Sequence, residues 1–443
     1  MKINNIETAI EHVRQHPKLV VAEDYEIVSQ KTDLRTSHFN NGDLIGESKN
    51  TLYWLQIRVL HRKRLGVAST VFAEDEALTQ IVDRAFDLAE HTAVDPWFRF
   101  PLWKPEQKKV IENASCLSDP STLGDCFFKS QYATLSNLPI GLEERYSEQN
   151  DSRVILRKME KATRGFSVRT QKFQFSVVNQ SEEGFYRVED SRGFTSPFKE
   201  KGPFLEAVIR KSDRLSRGCV LDRAPTGSYI LSGSVVGSLL KSIESLFVGN
   251  LALLGRSRAS DQLEKRIFSD QVSVIDDGRY LGGEGSQDFD FEGATSEETH
   301  IVEKGILRTF IHNASTAARY NRATTANFVM NEPGRPGIGV TNCYLLPSET
   351  PPLDLFKQMG TGLYLECLER TEKKVTRDGK LGLLAHGWRV KNGEPYQPFT
   401  HLFLVVDPLE LFKEITLVGN DLEFWGRFGA PSVFLENMPL SEA

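Results

Sequence analysis

The sequence predicts an α+β protein whose strand content rises toward its end. Three observations carry this. Runs of branched and aromatic residues recur, as in Leu55-Gln56-Ile57-Arg58-Val59. Several are punctuated by pairs that favour tight turns: Asn41-Gly42, Lys304-Gly305 and Asn392-Gly393. Helix-period apolar stripes also occur, near residues 1–17 and 76–91. The 443 residues allow two to four domains. Texture divides them into an N-terminal α/β section at 1–109, a strand-containing middle section at 110–218 and a strand-rich section at 219–443.

The first section opens with a helix whose apolar positions are Ile3, Ile6, Ile10 and Val13. A hairpin turning at Asn41-Gly42 follows, then strands at 52–60 and 65–71. The helix at 76–91 carries Leu78, Ile81, Val82, Ala85 and Phe86 on one stripe. Pro96, Pro101 and Pro105 then mark a linker, because proline cannot continue a helix.

The middle section holds a strand at 166–178 with Phe173, Phe175 and Val177 on one face. Residues 153–172 contain seven Lys/Arg and one acid. A basic strip beside aromatics is one way to hold nucleic acid. A strand face paired with acidic neighbours is the favoured reading, since no recognised nucleic-acid fold surrounds the strip.

In the third section a helical stretch is expected at 234–254, a strand at 271–275 and a hairpin at 299–311. A nearly all-apolar strand at 401–406 is expected to be buried on both faces. A helix should then start with Asp407 as N-cap, Pro408 at N1 and Glu410 at N3, and end at Gly419.

The net charge of −6 excludes a global basic field for nucleic acid. Five dispersed cysteines without a CxxC pair fit reduced thiols and a cytoplasmic location. Residues 1–17 read as an amphipathic helix rather than a secretory leader. The apolar stretch 229–254 is interrupted by Lys241, Glu244 and several serines, so no membrane span is expected.

Candidate chemistry is sparse. His12 and His16 have metal-ligand spacing on a helix, but no acid lies between them and Arg14 and Lys18 oppose a cation. A zinc site could be drawn from His300, His312 and Cys343, although their spacing does not demand it. Ser232 and Ser234 do not form a GxSxG elbow, and Gly282-Gly283-Glu284-Gly285 lacks the GK[ST] of a phosphate loop. Residues 261–303 carry twelve acids against three bases. In an extended chain Asp288, Asp290 and Glu292 would share one side, with Phe289 and Phe291 on the other.

An ordered series of segments resembles the TldD/PmbA family. It comprises Val274-Ile275-Asp276-Asp277-Gly278, Gly283-Glu284-Gly285-Ser286, Phe289-Asp290-Phe291-Glu292-Gly293-Ala294 and Ile301-Val302-Glu303-Lys304-Gly305. Thr341-Asn342, Asn392-Gly393-Glu394-Pro395 and Gly419-Asn420-Asp421 continue it, and Arg64-Leu65-Gly66-Val67-Ala68-Ser69-Thr70 agrees near the start. The resemblance implies a cytosolic peptidase system. Its TldD branch holds zinc with an HExxxH helix and a late cysteine. Its TldE or PmbA branch lacks those ligands and pairs with TldD.

The helix corresponding to that motif, set at residues 239–250, contains no histidine, and Lys241 is expected near a ligand position. The late segment 419–429 contains no cysteine. The resemblance therefore implies a TldE/PmbA-like subunit that is non-catalytic itself and carries no cofactor in this chain. Zinc belongs to its TldD-type partner. Together they would enclose unfolded peptide substrates. It further implies peptide or partner contact at Asp288, Asp290, Glu292, Gly293, Thr341 and Asn342. A homodimer is left open. The rivals are a self-sufficient metallohydrolase at His300, His312 and Cys343, and a regulatory protein of the gyrase-modulator type.

Overall fold

The computed structural model describes residues 5–41, 43–71, 75–101, 141–158, 162–181, 184–195, 201–221, 223–332, 335–368 and 379–440. The first half is built on one antiparallel sheet. Its strands are β1 (Asp24–Asn40), β2 (Asp43–His61), β3 (Arg64–Val71), β4 (Gly141–Arg157), β5 (Ala162–Ser181) and β6 (Gly184–Phe194). Their order is β3-β2-β1-β4-β5-β6. Strands β1 and β4 come from the first and middle sections, yet they pair from Glu26↔Arg157 to Asn40↔Glu143. Among the described residues three helices accompany the sheet: α1 (Ile6–Arg14), α2 (Asp75–His91) and α3 (Lys201–Ser216).

Strand alternation gives this sheet two different faces. On one, Ile27, Leu55, Ile57 and Leu156 pack with Ile10 and Val13 of α1 and with Leu78, Ile81 and Val82 of α2. The same alternation places Tyr146, Phe173, Phe175 and Val177 against Phe204, Leu205 and Val208 of α3. On the other face Val28, Trp54 and Ile155 pack with Phe289, Phe291 and Phe328 of the third section.

The third section runs β7 (Cys219–Val220), β8 (Ser228–Leu231), α4 (Gly233–Ser242), α5 (Gly249–Leu253), β9 (Val274–Asp277), β10 (Glu298–Glu303), β11 (Ile306–Leu307) and α6 (Ala314–Arg319). It continues with β12 (Phe328–Glu332), β13 (Arg335–Ile338), β14 (Cys343–Leu345), α7 (Pro352–Met359), β15 (Gly362–Leu368), β16 (Leu381–Lys391) and β17 (Glu394–Val406). The chain ends with α8 (Pro408–Lys413), β18 (Ile415–Val418), β19 (Glu423–Trp425), β20 (Phe428–Ala430) and β21 (Val433–Leu435). A six-stranded sheet has the order β11-β10-β9-β14-β20-β19, and a seven-stranded sheet has the order β18-β21-β8-β15-β16-β17-β7. Helix α4 lies in the core between them, with Val235, Val236, Leu239 and Leu240 buried.

Three sequence expectations need correction. The helix expected at 234–254 breaks after Ser242 into a 3-10 turn and then α5. At the break Gly249 lies against His312, so that a Cβ there would stand 2.4 Å from the ring. The strand at 401–406 is not buried on both faces. Leu402, Leu404 and Val406 point inward, while Phe403 is 54% exposed. The helix capped by Asp407 ends at Lys413 rather than at Gly419, because Ile415-Thr416-Leu417-Val418 pairs with β21 instead.

Asp407 itself caps α8 as expected, accepting from the Leu409 amide at 3.0 Å, and it also pairs with Arg258 at 2.7 Å. Asp407→Ala is expected to lower stability by about 1 kcal/mol, chiefly through the cap. An unchanged melting temperature would show that the cap contributes nothing.

Candidate functional site

A trough runs between the first sheet and the third section, formed by three adjoining cavities. The first, about 560 Å³, lies between α3, the start of α4 and β19, and includes Lys211, Ser234, Glu366 and Trp425. The second, about 450 Å³, shares Arg192, Phe204, Ala207 and Glu423 with the first and reaches the 280–284 turn. The third, about 560 Å³, meets the second at Glu284. Its floor is the sheet face that carries Gln30, Thr32, Trp54, Asp151 and Arg153, and its far wall includes Gln287 and Arg427.

Two sheet edges border this trough. Strand β6 ends the order of the first sheet and β19 ends that of the six-stranded sheet. Arg192 on β6 bridges them, donating to the Phe424 carbonyl at 3.0 Å and to Glu423 at 2.8 Å. Its guanidinium also lies 4.8 Å from the Trp425 ring. An edge strand offers backbone groups to an extended peptide.

The 283–286 loop that divides the trough is held from below by Asn342. Its Nδ2 donates to the Asp277 carbonyl at 2.8 Å and to Ser286 at 3.0 Å, and its Oδ1 accepts from the Gly285 amide at 2.9 Å. A Cβ on Gly285 would lie 2.1 Å from the Thr341 carbonyl, so this loop can sit so deep only with glycine there. Beside it Thr341 donates its amide and hydroxyl to Asp276, at 2.8 and 2.9 Å, and Asn327 adds a third donor at 2.6 Å. Burial pushes the Asp276 carboxyl up to about 6 despite these donors.

Segment 288–293 is a tight turn rather than an extended row. Asp290 Oδ1 accepts from the Glu292 and Ala294 amides at 2.8 and 2.9 Å, and Gly293 closes the turn at φ +68°. Burial, and then the adjacent Glu292 charge, push the Asp290 carboxyl upward. Of the expected contact residues, Asp290, Glu292, Gly293, Thr341 and Asn342 are buried and Asp288 is half-buried. They form the support beneath the trough, with their polar groups engaged by neighbouring chain.

Glu292 also joins the two halves of the molecule. Glu26 on β1 lies between its cross-strand partners Arg58 and Arg157. It accepts from Arg58 Nε at 3.0 Å and from Arg157 Nε at 2.7 Å. Arg58 donates to Glu292 at 2.6 Å, and Glu292 in turn accepts the Ala314 amide at 2.7 Å. Arg157 donates to the Glu292 carbonyl. Burial works against the Arg58 charge, but Glu26 and Glu292 overcome it and hold its pKa above the ordinary arginine range. Residues 153–172 are therefore no nucleic-acid strip where described. Arg157 is internal, and Arg169 and Lys172 pair with Glu148 and Glu284. The side chains of Lys161 and Arg164 lie outside the described residues.

The alternative zinc site is not formed. His300 and Cys343 lie on strands either side of β9, about 9–10 Å apart by strand spacing. His300 is exposed and pairs with Glu298 at 2.7 Å, whereas Cys343 is fully buried. His312 is 1% exposed and its Nδ1 lies 3.2 Å from the Thr316 hydroxyl. Among the described residues no group of three or more His, Cys, Asp or Glu is placed to hold a metal ion.

Helix α4 packs against the late segment at the mouth of the first cavity. A Cβ on Gly233 would meet the Ala430 carbonyl at 2.3 Å and the Trp425 ring at 3.2 Å, and one on Gly237 would meet that ring at 3.6 Å. Ser232 and Ser234 lie 2.9 Å apart and both donate to the Glu366 carbonyl. Lys241 is exposed. The serine hydroxyls, glycines and indole at this junction are not zinc ligands. The cavity's carboxylates Asp190, Glu366, Asp421 and Glu423 form no group of three placed to hold a metal ion among the described residues.

The description "PmbA/TldA metallopeptidase C-terminal domain" matches residues 226–442. The chain belongs to the TldD/PmbA family. It is 22% identical to metalloprotease PmbA of Escherichia coli O157:H7, over 98% of this chain and 97% of that one. It is also 22% identical to a metalloprotease of Methanocaldococcus jannaschii, over 83% of each. TldE from Thermococcus kodakarensis superposes with a TM-score of 0.82 at 16% identity, covering 98% of this TldD/PmbA chain and all of that one. A proposed modulator of a DNA gyrase from Thermotoga maritima gives 0.85 at 18% identity, covering 99% and 100%. At such identities these two likenesses carry the fold.

Sequence reasoning missed the trough-lining residues Arg153, Gln287, Trp425 and Arg427. Two signals were available for them. The glycine-rich 282–285 stretch adjoins Gln287, and Arg153 opens the basic run.

Proposed function

We propose that this family member is a TldE/PmbA-type subunit, without zinc chemistry of its own, that forms one wall of a peptide chamber closed by a TldD-type partner in the cytoplasm. The observation that carries the reading is the junction of α4 with the late segment, where Trp425 stacks over Gly233 and Gly237. The resemblance sets the zinc ligands of the TldD branch on a helix, here expected at 239–250, and on a late segment at 419–429. The described helix runs Gly233–Ser242 and breaks beyond it, so we assign the corresponding face to the Gly233–Gly237 turns that meet the late segment. The full-length similarity to PmbA supports the same branch.

Peptide handling is supported by the trough and its two bordering edges. An extended chain laid along β6 or β19 gains backbone hydrogen bonds that ignore side-chain identity, which suits unfolded substrates of varied sequence. The buried Asp288–Gly293 turn and Thr341-Asn342 act from beneath, fixing the loop against which the peptide lies.

The test is co-purification from the native host with mass spectrometry, followed by metal analysis and peptidase assay. A TldD-type subunit should accompany the chain. Zinc and hydrolysis of unfolded peptides should require that subunit. Stoichiometric zinc together with partner-free hydrolysis would sink this reading.

A further inference from the structure

We propose that the third cavity of the trough is a subsite for a peptide carboxylate, from a chain terminus or an acidic side chain, held by Gln287, Arg427 and Arg153. The inference rests on the peptide-binding reading above and specifies what one end of the trough recognises.

Gln287 provides the first argument. It is 9% exposed, it lines this cavity, and its side-chain Nε2 has no hydrogen-bond partner among the described residues. A buried amide donor left unmade costs free energy, and a ligand acceptor entering the cavity would recover it. The backbone of the same residue is fixed, its amide donating to the Gly278 carbonyl at 2.9 Å, so the side chain projects from a rigid base.

The cavity's cations provide the second. Arg427 lines it, and its Nη1 donates to the Val340 carbonyl at 3.4 Å, a long and weak bond. Arg153 rises from the floor, with its guanidinium 3.2 Å from the Phe291 ring centre and its Nε donating to the Gln30 side-chain Oε1 at 3.1 Å. Burial, reinforced by the Arg427 charge, pulls the Arg153 guanidinium down to about 9 although Asp151 and Asp290 oppose this. Two guanidiniums turned toward one buried space repel each other, and an anion between them relieves that repulsion.

The acids in the cavity are otherwise placed. Asp151 is held at both oxygens by neutral donors, Thr32 at 2.6 Å, Gln30 at 3.1 Å and Gln149 at 2.8 Å. Glu284 stands at the opening to the second cavity, 3.9 Å from Lys172. The trough thus has an acid at its internal junction and guanidiniums beyond, a polarity that orients a peptide with its carboxylate in the third cavity.

The experiment is fluorescence anisotropy on the full chain with one labelled hexapeptide in three forms: free acid, C-terminal amide, and amide carrying an internal Glu. The free acid is expected to bind about tenfold or more tightly than the plain amide, as for a charge-assisted contact. Arg427→Met and Gln287→Leu should each shrink that ratio, with circular dichroism confirming folded protein. If the internal Glu restores affinity to the amide, the carboxylate comes from a side chain and the subsite stands. Equal binding of acid and amide by the parent protein would overturn the subsite and leave peptide binding intact. Failure of all three forms to bind would remove both.

Discussion

Glu26→Ala is expected to lower the unfolding free energy by about 3–5 kcal/mol, the cost of leaving buried charge without its partner. Glu26 is fully buried and lies between Arg58 and Arg157, each 2% exposed. Removing it leaves Arg58 with the Glu292 carboxylate and takes from Arg157 the carboxylate that its Nε donates to at 2.7 Å. Phe100 and Phe328 flank Arg58 at 5.1 and 5.0 Å, so water cannot readily replace the lost carboxylate. The loss should be read by urea unfolding, in which the two halves of the protein ought to lose cooperativity together. Glu292 accepts from Arg58 of the first sheet and from the Ala314 amide at the start of α6, so the damage is not local. A change below about 1 kcal/mol would mean that the network is readily hydrated and does not hold the halves together.

That network also shows where sequence reasoning ends. Lys304-Gly305 and Asn392-Gly393 each mark a real hairpin, because the backbone twist they favour is a local property, and β1 pairs with β2 up to Asn40↔Asp43, although Gly42 itself lies outside the described residues. Asp407 is a cap for the same reason. What could not be read is that β4 lies beside β1, since 15 cross-strand pairs join residues more than a hundred positions apart. Once that pairing is known, alternation alone places Arg153, Ile155 and Arg157 on the face turned toward the third section. Without it, the same residues read as a basic strip in solvent.

The candidate site divides similarly. The family-like segments at 288–293 and 341–342 do lie at the trough, but as its foundation. Asp290 bonds the amides of its own turn, an Asx-type arrangement that competes with extended structure and defeats the alternation argument. Gln287, Arg427 and Trp425 belong to no motif in one sequence, and only the meeting of two sheet edges sets them along a common trough, Trp425 in its first cavity and Gln287 and Arg427 in its third.

A second large effect is expected from pH. His312→Phe should cost about 1 kcal/mol at pH 7, where it removes the contact with Thr316, yet should make the protein more stable than its parent by about 2 kcal/mol at pH 4.5. The sign follows from linkage. Burial, and then the Arg322 charge, pull the His312 imidazole down to about 4 from its ordinary 6.5. The unfolded chain therefore takes up a proton as pH falls through 6.5, while the folded chain resists until about 4. Stability from this group is fully present above that window and is lost across it, amounting to about 3 kcal/mol at 1.36 kcal/mol per pH unit. Phenylalanine keeps a ring beside Gly249 and Tyr320 and takes up no proton. His386, likewise pulled down to about 4 by burial, His401 and Lys211, adds a loss of the same sign. Asp276 works in the opposite direction, since its carboxyl at about 6 makes the folded chain the better proton acceptor below that pH. The parent's own profile therefore mixes opposing contributions, and the difference between parent and variant isolates His312. Urea unfolding of both proteins at pH 7 and pH 4.5 measures it. Parallel stabilities at the two pH values would show that His312 is protonated inside the fold, with a polar partner for its Nε2 that the packing around Tyr320 and Gly249 does not supply.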